Sequence, residues 1–163
     1  MVRSALTTTA LACIAATGCT DATAAPHGAL VVTVASSTVV ALRTPADRVV
    51  WGQIPVEVTL RNPTASTIRV YSCGPTAERE TSAGWQVAIE PYCLLSGPGY
   101  VEMAPGSERT QKTQITGALS GPGGPEFLNG TLAGRYRVLY RFSLPGVEGP
   151  LDEARSAPFE VTE

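Results

Sequence analysis

The sequence has few of the residues from which catalytic and metal sites are built. Of its 163 residues, one is histidine (His27), one is lysine (Lys112) and four are cysteines. Histidine is the commonest general base and a frequent zinc ligand, so a Ser-His-Asp triad or a structural zinc site cannot readily be assembled. We therefore predict that the protein is not an enzyme and that it holds neither a metal nor a cofactor.

Charge is also scarce. Charged residues make up 16 % of the chain, and the formal net charge is −2. A nucleic-acid partner requires a basic face that displaces counterions, and electrostatic attachment to anionic lipid requires a basic cluster. We therefore expect no nucleic-acid partner and no membrane attachment by charge alone.

The chain contains no apolar run long enough to span a bilayer. A shorter uncharged, mostly apolar run, Ser4 to Ala16, follows Arg3. It has about 13 residues, which suits the core of a signal peptide. The tetrapeptide ATGC, Ala16 to Cys19, comes next. It resembles the bacterial lipobox, with alanine where leucine is favoured at the first position. The resemblance implies cleavage before Cys19, a diacylglycerol on its sulfur and a further acyl chain, such as palmitate, on its amine.

This interpretation divides the chain into a signal peptide (1–18), a flexible tether (19–28) and one domain (29–163). It predicts a lipoprotein bound to a membrane of the cell envelope, the outer membrane if the bacterium has two, because several acyl chains on one residue anchor stably. Three alternatives remain open. Cys13 is a second lipobox-like site, the ATA sequence at 22–24 suits ordinary signal peptidase and a soluble secreted product, and the segment could be a plain buried part of the fold.

In the body of the chain, the dominant hydrophobic period is two. Val56, Val58 and Leu60 alternate with polar residues. In the segment from Gly134 to Phe142, the pattern directs three arginines outward and four residues inward: Tyr136, Val138, Tyr140 and Phe142. Such alternation gives each strand one buried and one wetted face. About seven or eight such strands, separated by turns, predict an all-β fold: a two-sheet antiparallel immunoglobulin-like sandwich. We expect Trp85, which alternates with Val87 and Ile89, to lie in its core.

The order of these strands resembles the immunoglobulin-like domains of bacterial surface proteins. The likeness extends from Val56 to Val161 and is similar in particular to the intracellular proteinase inhibitor type of domain. The residues that carry it are VEVTLRNP (56–63), the turn PG (105–106), GRYRV (134–138) and PFEV (158–161). It implies the sandwich fold and, as an alternative function, protease inhibition through the Gly/Pro-rich segment 117–130, which we expect to be an exposed loop.

Two cysteines remain after signal-peptide removal and lipid attachment. Cys73 and Cys93 form an even pair in an oxidising compartment, so we predict a disulfide between them. It would close a loop of about 20 residues, worth roughly 3 kcal/mol in the chain-entropy model.

Aromatic residues near turns are the remaining candidates for a binding site. Trp51 precedes a glycine, and Tyr92 and Tyr100 lie in predicted turns. Exposed aromatic rings stack on sugars or anchor a protein partner. The sequence thus predicts a membrane-tethered, non-catalytic binding or scaffolding domain with a protein or glycan ligand.

Overall fold

The computed structural model describes most of the predicted domain. It covers residues 30–46, 49–91, 99–120, 126–127, 130–147 and 150–163. The predicted signal peptide, the tether, Cys13, Cys19, Tyr92 and Cys93 lie outside the described residues, so the expectations that concern them stay predictions.

Twelve β-strands and no α-helix are present in the described part of the chain. They are β1 (Val31–Val34), β2 (Thr38–Val40), β3 (Leu42–Ala46), β4 (Val49–Arg61), β5 (Ile68–Tyr71), β6 (Thr76–Thr81), β7 (Gly84–Ile89), β8 (Tyr100–Met103), β9 (Glu108–Ser120), β10 (Gly134–Ser143), β11 (Asp152–Arg155) and β12 (Phe159–Thr162). The number exceeds the predicted seven or eight because pairs of short strands share one edge of a long strand. β3 and β1 pair with successive parts of β4, and β6 with β5, like β12 with β11, pair with successive parts of β10.

The strands form two sheets that pack as a sandwich. In the first sheet, β4 pairs with β9 along one edge and with β3 and β1 along the other. In the second sheet, β10 pairs with β5 and β6 along one edge and with β11 and β12 along the other, while β8, β7 and β2 extend these strands outward. The predicted two-sheet sandwich is confirmed, and its topology is compatible with an immunoglobulin-like fold. Among the described strands, the pairings are antiparallel except that of β2 with β12, and an isolated bridge between Ala118 and Glu126 is also parallel.

The alternation of β4 and β10 is observed as predicted. Val56, Val58 and Leu60 are buried between the sheets, and so are four residues of β10: Tyr136, Val138, Tyr140 and Phe142. The arginines that alternate with the latter lie on the opposite, outer face of the second sheet. These apolar side chains supply much of the core, in which each full burial contributes about 1.5–3 kcal/mol.

A proline is tolerated in the middle of β4 because its edge is unpaired at that point. Pro55 lies between Gln53, where pairing with β3 ends, and Val58, where pairing with β1 begins. The carbonyl of Glu57 accepts a hydrogen bond from Ala35 on this edge, at 3.0 Å. Backbone groups two residues apart point to the same edge, so the N–H that Pro55 lacks would have pointed into the gap.

Trp85 is not in the core, contrary to the sequence prediction. Ala77 pairs with Ile89 but Glu78 pairs with Val87, so β7 has one extra residue, Ala88, in a bulge. The bulge reverses the alternation. Ile89 is therefore buried, whereas Val87 is 52 % exposed and Trp85 is half-buried on the outer face.

The segment 117–130 is not simply an exposed loop. Its first four residues complete β9, and Phe127 is buried in the core with its N–H donating to the carbonyl of Ala118 at 2.8 Å. The described residues of this segment are thus held against the sandwich by strand pairing and by one large apolar side chain. Residues 121–125 and 128–129 lie outside the described part.

Removal of the hydroxyl group from each of two buried tyrosines of β10 is expected to change the stability of the protein in opposite directions. Tyr140 accepts a hydrogen bond from Nε2 of Gln111 at 2.9 Å, whereas the hydroxyl of Tyr136 is buried with no hydrogen-bond partner among the described residues. An unsatisfied buried polar group destabilises by about 1–3 kcal/mol. Tyr136→Phe should therefore raise the free energy of unfolding by about 1 kcal/mol, and Tyr140→Phe should lower it by about 1 kcal/mol. Urea denaturation of both variants tests this, and equal shifts of the two midpoints would contradict it.

Candidate functional site

The outer face of the second sheet carries an extended ion-pair network. At its centre, Glu78 accepts hydrogen bonds from Nε of Arg137 and from Nε and Nη2 of Arg155, the latter two at 3.1 and 3.2 Å. Burial opposes ionisation of Glu78, but the hydrogen bonds and charges of the two arginines outweigh it and lower the pKa of the carboxyl. Neighbouring pairs extend the network: Arg135 with Glu80 and Glu160, Arg141 with Glu90 and Glu153, and Arg155 with Glu153.

Trp85 packs against Arg137 at the edge of this network. The guanidinium carbon of Arg137 lies 4.4 Å from the centroid of its ring, while the same guanidinium binds Glu78. Arg137 is thus held both by a cation–π contact and by an ion pair. These side chains are already satisfied by one another, so this part of the face has little capacity left for a ligand.

A cavity of about 320 Å³ opens on the same face beside the network, and we call it the outer cup. It arises because the chain leaves the sheet between β5 and β6: β10 pairs with Val70 and again with Thr76, but not with the residues between them. The lining of the cup includes Tyr71, Glu90, Pro91, Leu139, Arg141 and Leu151. Its volume lies at the lower end of the range of about 300–1,000 Å³ for small-molecule sites.

The floor of the cup is apolar and its rim is charged. Leu139 belongs to the outward-facing set of β10, yet it is only 3 % exposed. At the rim, Nη1 of Arg141 donates to Oε1 of Glu90 at 2.9 Å, and Nε of Arg141 lies 3.8 Å from Glu153. The side chains of Arg141 and Glu90 are 40 % and 57 % exposed, so both are accessible from solvent.

Two tyrosines lie next to each other at this end of the face. Tyr71, 37 % exposed, lines the cup and is the direct cross-strand neighbour of Tyr100 in β8. The guanidinium carbon of Arg69 lies 4.6 Å from the centroid of the Tyr100 ring, and its Nε donates to Glu102 at 3.1 Å. Tyr100 is therefore held in place, and Tyr71 extends the aromatic row to the cup.

Of the three aromatic residues selected from the sequence, the two that the structure describes lie in different sheets. Tyr100 belongs to the row just described, but Trp51 lies in the opposite sheet, half-buried and paired with Thr44 of β3 and Ala118 of β9. Tyr92 lies outside the described residues. The residue missed from the sequence is Tyr71, and the outward position of Arg69 two residues earlier in the same strand was the signal that could have identified it.

Cys73 lines the cup as well. It follows β5 and is half-buried. Cys93, the partner expected from the sequence, lies outside the described residues, so the pairing of these two cysteines stays a prediction.

Other surfaces of the sandwich offer less chemistry. A larger and shallower depression of about 730 Å³ over β4 and β9 is lined by Pro55 and Gln114 and carries one exposed ion pair, Glu57 with Lys112 at 3.8 Å. Among the described residues, no three His, Cys, Asp or Glu side chains are close enough together to hold a metal ion. In the same residues, no helix has the length and hydrophobicity needed to cross a membrane.

Comparison with known proteins supports the fold alone. The structure is similar to the X-ray structure of Northeast Structural Genomics Consortium target SoR45, with a TM-score of 0.50 and 10 % sequence identity over 82 % of this chain and 86 % of that one. No family model matches the sequence, and no curated protein matches it. At so low an identity the likeness bears on the β-sandwich and carries no function across.

Proposed function

We infer that this protein is an exported lipoprotein whose β-sandwich is a non-catalytic binding domain held at the cell envelope by lipid on Cys19. The observation that carries the binding role is the outer cup, where an apolar floor, an exposed tyrosine and an accessible ion pair converge. Cavities of this kind, mainly apolar with a few placed polar groups, are typical of ligand sites.

The anchoring part of the proposal rests on the sequence before the domain. The described domain begins at Leu30, which is 3 % exposed and belongs to the core. Eleven residues, 19–29, separate its start from the proposed lipid. Fully extended, such a tether reaches about 40 Å, which is enough to hold the domain clear of lipid head groups.

The acidic residues of the second sheet support a non-catalytic role. A general acid at neutral pH needs a raised carboxyl pKa, whereas the pKa of the buried Glu78 is lowered by its two arginines. The carboxylates around it are likewise paired with arginine.

Protease inhibition, the alternative that the family resemblance implies, gains no support from segment 117–130. An inhibitory loop must be extended and exposed to enter a protease cleft. Of the described residues of the segment, 117–120 continue β9 and Phe127 lies in the core, whereas Glu126 and Gly130 are exposed.

Metabolic labelling with radioactive palmitate tests the proposed anchor. We expect the wild-type chain and Cys13→Ala to incorporate label and to fractionate with membranes. Cys19→Ala should lose both properties, because it removes the only sulfur at the proposed cleavage site. Label lost in Cys13→Ala instead, or an unacylated wild-type protein that starts at residue 25, would overturn the proposal.

A further inference from the structure

The rim of the outer cup carries opposite charges that are paired with each other. Arg141 and Glu90 form an ion pair at 2.9 Å, and Glu153 lies within 3.8 Å of the same guanidinium. An anion would have to displace Glu90 from Arg141, and a cation would have to displace Arg141 from Glu90. A neutral ligand displaces neither, because it can accept hydrogen bonds from the remaining guanidinium N–H groups and donate to the carboxylate.

The interior of the cup selects for a ligand with one apolar face. Leu139, Leu151 and Pro91 line it, and Tyr71 presents a partly exposed ring beside them. A molecule that fits must offer C–H groups to this surface and hydroxyl groups to the rim. A pyranose ring has this division, with axial C–H groups on one face and hydroxyls around its edge.

We propose that the outer cup binds a neutral saccharide, with one sugar ring on Tyr71 and its hydroxyls at the Arg141–Glu90 pair. The proposal rests on the binding function inferred above and names its ligand class. A second ring follows along the tyrosine row, because Tyr100 is the direct neighbour of Tyr71 in the adjacent strand and such neighbours have Cβ atoms about 4.5–5.5 Å apart. The glycan therefore lies across β5 and β8, away from the ion pairs around Glu78.

The test uses the full chain carrying Cys19→Ala, so that its result does not depend on lipid attachment. Calorimetric titration compares a neutral hexasaccharide of glucose, an anionic hexasaccharide of uronic acid and a neutral hexapeptide. We expect binding of the neutral saccharide, weakened about tenfold by Tyr71→Ala, which corresponds to loss of one stacking contact, and retained in Tyr71→Phe. Val87→Ala, an exposed position on the same face, is the matched control and should bind unchanged.

A change of rim charge provides the specificity test. Glu90→Gln keeps the size of the side chain but removes the charge paired with Arg141, so it should shift preference toward the anionic hexasaccharide. Absence of saccharide binding at millimolar concentration, equal affinity in Tyr71→Ala, preference of the unmodified cup for the uronic acid or binding of the peptide alone would each overturn the proposal. None of these results would change the outcome of the palmitate experiment, so the lipid anchor and the saccharide site are tested independently.

Discussion

Asn62→Asp is expected to lower the free energy of unfolding by about 3–5 kcal/mol, because it reverses the hydrogen-bond polarity of a buried side chain. Asn62 is 0 % exposed, and its Nδ2 donates to the carbonyls of Ser66, Met103 and Ala104 at 2.9, 2.9 and 3.0 Å. Aspartate has no N–H to donate. Three carbonyls would lose their donor, and a carboxylate oxygen would face them instead.

The other side of the same amide is expected to be kept in the variant. Oδ1 of Asn62 accepts from the N–H and the hydroxyl of Thr64 at 3.0 and 2.7 Å, which shapes the β4–β5 turn, and an aspartate oxygen can accept the same two bonds. The main chain of Asn62 bonds Ser107 and Gly106 across the β8–β9 turn, each at 2.9 Å. Asn62 thus joins the β4–β5 turn to the β8–β9 turn, and it lies 41 residues before Met103, one of its acceptors. Loss of its amide donors should loosen this connection.

Urea denaturation provides the measurement, with Gln114→Glu as the matched control. Gln114 is an exposed amide on β9, so the same chemical change there should alter stability by less than about 0.5 kcal/mol. Since such domains have total stabilities of about 5–15 kcal/mol, a loss of about 3–5 kcal/mol should move the urea midpoint of Asn62→Asp well below that of the wild type. If the urea midpoints of Asn62→Asp and Gln114→Glu coincide, the proposed role of Asn62 in joining the two turns is contradicted.

Alternation predicted those parts of the fold in which the register is unbroken over the residues concerned. β10 and the part of β4 after the register shift at Val50/Trp51 are long, and their inward sets, including Val58 and Tyr136, are buried as expected. The prediction failed at Trp85 because one extra residue in β7 exchanges the two faces, and a bulge leaves no mark in a hydrophobic pattern. The prediction that segment 117–130 is an exposed loop was based on its glycine and proline content. That content gave no sign that Phe127 would be buried in the core.

The candidate site was only partly predictable. Tyr100 could be selected as an aromatic residue near a turn, but its pairing with Tyr71 depends on the register between β5 and β8. The outer cup depends on the departure of the chain from the sheet after β5, and its lining combines Leu139 of β10 with Glu90, the residue that follows β7. Such non-local pairings are set by tertiary packing and not by the local pattern.

Glu78→Gln is expected to lower the free energy of unfolding at neutral pH by about 2 kcal/mol. Removing one partner of a fully buried ion pair costs about 3–5 kcal/mol, and we take less because the side chains of Arg137 and Arg155 are 23 % and 35 % exposed. The glutamine leaves two guanidinium groups facing each other with no anion between them. Glu80→Gln is the matched control, since Glu80 forms an exposed pair with Arg135 and should change stability by less than about 0.5 kcal/mol.

The pH dependence distinguishes lost charge from lost packing. Because the pKa of Glu78 is lower in the folded state than its ordinary value, the folded state binds fewer protons on this group than the unfolded chain does. The carboxylate therefore stabilises the fold fully above the unfolded pKa of about 4.3 and loses this contribution as pH falls through the lower folded pKa. Unfolding measured in urea from about pH 8 to pH 3 should show wild type and Glu78→Gln converging at the acidic end. A stability difference that stays constant over this range would assign the effect of Glu78 to packing and not to its charge.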